Sequence, residues 1–148
     1  MNRAEASQAI GQRVQAWTAA NGVYVGTLRE VRTRQGAPWR GVVLIDGILE
    51  VAVHFERGGF VRRGYRPGET LEAGGQSISP TNDEGFKTYE EALLGHIEFI
   101  SRAIERDPKG RNSETMLQIG RGSQAALKAE RTRQAGGVWR LEGTALSI

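Results

Sequence analysis

The chain contains no cysteine, and that absence removes disulfides, thiolate nucleophiles and cysteine-held zinc or iron–sulfur centres together. Histidine occurs twice, at His54 and His96, with no HxH or HExxH spacing to join the two. Lysine is scarce as well: Lys87, Lys109 and Lys128 are the only three, so the basic complement is almost entirely arginine. No stretch approaches the ~20 apolar residues of a membrane span, and the opening MNRAEASQAIGQRVQAW is too polar for a secretory signal. A cytoplasmic protein with no membrane contact, metal or cofactor is the expectation.

What is present suits one domain. A chain of 148 residues buries roughly 70% of its unfolded surface, and its 39% apolar and 25% charged residues lie near globular averages. The net charge of +3 is unevenly placed. Thr81 to Asp107 is acidic and Pro108 to Arg140 is basic, so two complementary helical faces are available to pair.

Three zones follow along residues 1–148. Apolar residues at Ala6, Ile10, Val14 and Trp17 repeat at helical spacing, which predicts an N-terminal helix over 1–21, from about Ala4 to Ala20, stopped by Asn21-Gly22. From residue 23 to 80 the period changes to two. Asp46-Gly47 between apolar β-branched runs predicts a hairpin of strands Arg40–Ile45 and Ile48–Val53, with Leu49, Val51, Val53 and Phe55 inward and Ile48, Glu50, Ala52 and His54 outward. About five short strands, with glycines such as Gly26, Gly41 and Gly64 at the bends, predict an α+β protein: a small, strongly bent antiparallel sheet or SH3-like barrel. Thr33 to Arg40 forms its long loop. Residues 86–135 read as helical, starting with a cap at Thr88 and an apolar stripe of Tyr89, Leu93, Ile97, Ile100 and Ile104. Ser113 onward is one helix or two pieces broken at Gly120 and Gly122, and residues 137–146 suit a last strand.

Catalytic patterns are weak. IGRGSQA spells GxGxxA, yet it follows a helical pattern rather than a strand and lacks the acid of a dinucleotide site. Glu90 and Glu91 belong to a helix's first turn, where the helix dipole accounts for them. His54 beside Glu56 reads as an exposed polar cluster. No serine elbow or Walker lysine occurs.

The distinctive stretch is FERGGFVRRGYRPGE. A strand from Phe60 to Arg66 alternates Phe60, Arg62 and Gly64 with Val61, Arg63 and Tyr65, leaving neither face cleanly apolar, as at a barrel rim. With Arg57, Trp39 and Arg40 brought close by the long loop, Phe60, Arg62, Arg63, Tyr65 and Arg66 would make an arginine–aromatic surface for nucleic acid. Two non-enzymatic readings follow: a module contacting single-stranded or structured nucleic acid, or a protein-interaction or assembly subunit, homo-oligomers included.

Overall fold

The computed structural model describes residues 1–18, 22–51, 64–110 and 113–135. Helix α1 spans Arg3–Gln8; the Asn2 side chain accepts the Glu5 N–H at 2.8 Å, and the Glu5 carboxylate accepts the Asn2 N–H in return. The helix ends far earlier than expected. Gly11 turns the chain at φ 88, a left-handed value that favours glycine, and β1 follows over Arg13–Thr18. Within RVQAWT the alternation of buried Val14 and Ala16 with Arg13, Gln15 and Trp17 competes with the helical spacing, and the strand wins. Ile10 and Trp17, assigned to the inner stripe, are about half exposed instead, at 48% and 54%.

The other strands are β2 (Gly22–Arg32), β3 (Arg40–Val51), β4 (Thr70–Gly74) and β5 (Ile78–Pro80), with a 3₁₀ turn at Gly75–Ser77 before β5. They form one antiparallel sheet in the order β4-β3-β2-β1-β5. β1 touches β4 although two strands separate them, so the sheet is strongly bent. This is the α+β architecture that the short glycine-punctuated strands predict.

Asp46-Gly47 does not turn the chain. β3 runs straight through it, and the β2–β3 connection is the loop 33–39. A type I′ turn needs positive φ at both central residues, and neither Asp46 nor Gly47 has it. Instead Val25 pairs with Gly47 and Gly26 with Ile45, which leaves Asp46 as the extra residue of a β-bulge. Gly47 is required for a different reason: a Cβ there would lie 2.2 Å from the Glu84 carbonyl oxygen. A second shift leaves Leu49 unpaired, so Ile48 and Val51 both face inward, 0% and 5% exposed. Val51 thus lies on the expected face, while Ile48, assigned to the outer one, belongs to the core.

Thr88 caps helix α2 (Tyr89–Arg106), its hydroxyl accepting the Glu91 N–H at 3.1 Å. Tyr89, Leu93 and Ile100 of the expected stripe are buried, and Ile97 packs against the core from a half-buried position. Helix α3 is continuous over Ser113–Gln134. Gly120 and Gly122 therefore lie inside it, where backbone amides are used by the helix itself and no phosphate cradle forms. Gly120 instead lets the helices approach: a Cβ there would stand 3.3 Å from Ile100 Cγ2. The acidic and basic segments pair at Arg131 and Glu90, 2.6 Å apart, so α2 and α3 run antiparallel. Tyr89, Ala92 and Leu93 of α2 and Ala126 and Leu127 of α3 share one core with the inner sheet face. The expected strand over 137–146 lies outside the described residues.

Candidate binding surface

The arginine–aromatic stretch ends inside the protein. Gly64, Tyr65 and Arg66 carry no strand; they lead into a turn with Gly68 at φ 95. The Gly64 N–H donates to the Tyr89 hydroxyl at 3.2 Å and the Tyr65 N–H to the Tyr24 hydroxyl at 2.9 Å. The Tyr65 ring meets Tyr24 edge-on, with centroids 5.5 Å apart. Arg66, 15% exposed at its side chain, forks onto Glu130 of α3 and lies 4.9 Å from the Tyr89 ring centroid. Arg133 donates to the same carboxylate at 2.9 Å. Burial pushes the Glu130 pKa up, but the hydrogen bonds and charges of Arg66 and Arg133 outweigh it and hold the group at about 2. Arg66 therefore ties α3 to the chain entering β4 and is not presented to solvent as a phosphate contact.

Trp39 and Arg40 lie elsewhere. Trp39 is 9% exposed and packs in the core, its indole so close to Gly75 that a Cβ there would fall 2.1 Å from Trp39 Cε2. Arg66 precedes the start of β4 beside Ile45, whereas Trp39 pairs with Gly75 just past the other end of β4. Six strand residues from 39 to 45 correspond to about 20 Å, so the structure does not bring these two residues into one site. Arg57, Phe60, Arg62 and Arg63 lie outside the described residues, as do His54 and Glu56.

Arg40 keeps the exposed position expected of it. It sits 3.7 Å from Glu72, which also pairs with Arg32 at 3.4 Å, while Glu30 takes Arg32 at 3.0 Å. Around them, Arg29 occupies a bulge of β2, because Leu28 pairs with Val43 and Glu30 with Val42, and Arg34 stands in the loop. Both are exposed and neither meets a carboxylate among the described residues. Among the described residues, this end of the sheet thus carries four arginines against two glutamates.

A second polar cluster, not anticipated from the sequence, fastens the segment before α2. Arg13 donates through Nη1 to Asp46 at 2.7 Å, through Nε to the Asp83 carbonyl at 2.7 Å and through Nη2 to the Glu84 carbonyl at 3.1 Å. The Asp46 bulge aims the carboxylate at Arg13, and Gly47 leaves room for Glu84. The one available signal was Asp46-Gly47 itself, whose turn meaning hid its role as a bulge and a close approach. His96, beside the apolar stripe in the middle of α2, is half-buried; burial lowers its pKa against the opposing pull of Glu50. No group of three metal-ligating side chains gathers among the described residues, and none of the described helices is long and apolar enough to cross a membrane.

No protein-family model matches the chain, and no curated protein matches it. Among solved structures it is similar to kinase-associated protein B from Bacillus cereus, with a TM-score of 0.57 and 21% identity over 82% of this chain and 96% of that one. At that identity the likeness is one of fold alone.

Proposed function

We propose that the chain is a non-catalytic binding module that takes an acidic protein segment at the arginine-bearing end of its sheet. The observation that carries this reading is the pairing state of the arginines there. Arg29 and Arg34 are exposed and meet no carboxylate among the described residues, and Arg32 and Arg40 share Glu72 in solvent-exposed contacts that a partner's acids can replace at little cost. Guanidinium forks suit carboxylates as well as phosphates. What single-stranded nucleic acid needs in addition is a stacking platform, and Trp39 turns its ring inward at this end. A protein partner fits that combination better. Arg57, Phe60, Arg62 and Arg63 keep the nucleic-acid alternative open as the competing arm of the test.

The test titrates labelled acidic peptide and labelled single-stranded oligonucleotide against the full chain at low salt, by fluorescence anisotropy. The expected result is peptide binding that Arg29→Ala with Arg34→Ala weakens at least tenfold, and oligonucleotide binding that is weaker. Tighter oligonucleotide binding, with a salt slope near −0.7 per phosphate that Arg62→Ala with Arg63→Ala flattens, would establish the nucleic-acid reading instead.

A further inference from the structure

The outer surface of the α2–α3 pair carries a charge pattern that the described residues satisfy only in part: Glu98 meets Arg102 at 2.5 Å and Arg131 meets Glu90 at 2.6 Å in exposed pairs worth little, while Glu91, Glu105, Arg121 and Lys128 meet no opposite charge among the described residues. On α2 the residues Glu91, Leu94, Glu98, Ser101 and Glu105 recur at spacings of three and four and are all exposed. They lie on the side of the helix opposite Tyr89, Leu93 and Ile100, which are buried. On α3 the residues Leu117, Arg121, Gln124, Lys128 and Arg131 do the same opposite buried Ser123, Ala126 and Glu130. One antiparallel hairpin thus presents an acidic stripe and a basic stripe side by side on a single face. Each stripe includes a leucine that is nearly half exposed, Leu94 at 42% and Leu117 at 45%.

We infer that this face is a two-fold interface between two copies of the chain. A two-fold axis parallel to the helices and midway between them lays α2 of each copy over α3 of the other and keeps every residue at its own level along the hairpin. Those levels are known. Glu90 meets Arg131 and Ile100 approaches Gly120, so Glu91 of the second copy arrives beside Lys128 and Glu98 beside Arg121. Each contact is made twice, and no like charges meet in these pairs. Leu94 of the second copy comes to the level of Leu127, where an open depression of about 390 Å³ is lined by Gln124, Leu127, Lys128, Arg131, Thr132 and Ala135. The alternative axis, across the helices, stacks acid on acid and base on base. Exposed ion pairs contribute modestly and salt screens them, so the dimer is weak and salt-sensitive.

The test is sedimentation equilibrium of the full chain. Wild type is expected to dimerise at about 0.02 M salt and to dissociate at least tenfold more readily at about 0.5 M, where the Debye length is far shorter. Glu91→Lys with Glu98→Lys makes both stripes basic, and Arg121→Glu with Lys128→Glu makes both acidic. Each variant alone is expected to be monomeric with an unchanged circular dichroism spectrum. Their equimolar mixture is expected to form a one-to-one complex, because opposite charges then meet in every pair. A wild type that stays monomeric at low salt overturns the inference, as does a mixture of folded variants that fails to associate. Should one variant not fold, the salt response of the wild type decides alone: dimers that ignore salt refute the charge pairing.

Discussion

Replacing Glu130 with glutamine preserves its shape and removes its charge. The carboxylate is 2% exposed at its side chain and serves both Arg66 and Arg133, so Glu130→Gln leaves the largely buried Arg66 guanidinium without a counter-charge. Breaking a buried pair from one side costs about 3–5 kcal/mol. The titration leads to a similar figure. Glu130 is held at about 2 against an ordinary 4.5, and at roughly 1.4 kcal/mol per pH unit the difference is about 3 kcal/mol. Because the folded pKa is the lower one, this stabilisation is complete above the unfolded value of 4.5 and disappears as the pH falls toward 2. Urea unfolding at pH 7, followed by far-ultraviolet circular dichroism, should show the loss, and thermal unfolding should show a melting midpoint lower by roughly 6–12 °C. Acid titration of the variant should lack the part of the decline that wild type shows below pH 4.5. A loss under about 1 kcal/mol, or an unchanged acid profile, would refute the buried-pair account. Arg66→Met combined with Glu130→Leu should recover most of the stability, since apolar replacement of both partners is close to neutral.

Other substitutions probe the remaining joints. Gly47→Ala forces a Cβ against the Glu84 carbonyl and should lower the melting temperature through displacement of residues 83–86, read as faster amide exchange at Phe86, whose N–H bonds Ile48. Val51→Asp places an unpaired charge at a 5% exposed site and should cost several kcal/mol in chemical unfolding; an unmoved midpoint would mean that Val51 faces solvent. Thr88→Ala removes the hydroxyl that accepts the Glu91 N–H and should cost about 1 kcal/mol, with the effect confined to α2 in hydrogen exchange.

The helices of the second half were legible because their apolar residues recur over many turns and Thr88 announces the first start. The N-terminal segment was not, because Ala6, Ile10, Val14 and Trp17 satisfy the helical period while RVQAWT satisfies the strand period. β1 gains pairing on both sides, with β2 and with β5, and that tertiary partnership is invisible to a local pattern. Asp46-Gly47 misled for a related reason: the residues that favour a tight turn also tolerate a bulge and admit a crossing backbone. For the binding surface, the sequence singled out Tyr65 and Arg66, but Tyr65 is held by Tyr24, 41 positions earlier, and Arg66 by Glu130, 64 positions later in the chain. Charge density marks where arginines are, and only the fold says which carboxylates claim them.

The sheet's connectivity also dictates an order of assembly. β2, β3 and β4 are neighbours in both sequence and sheet, with β2 and β3 joined by the loop 33–39, but β5 must return to β1, and Arg13 finds its carbonyl partner Asp83 across 70 residues. Closing so long a loop carries a large entropic cost before any contact offsets it. The meander is therefore expected to form first, with the union of β1 and β5 as the late, rate-limiting event. During synthesis β1 can find β2 early but must wait with its other edge bare until Ile78–Pro80 leave the ribosome. Exposed Trp17 lies beside that edge, which makes the nascent chain, more than the finished protein, the species most prone to mispairing.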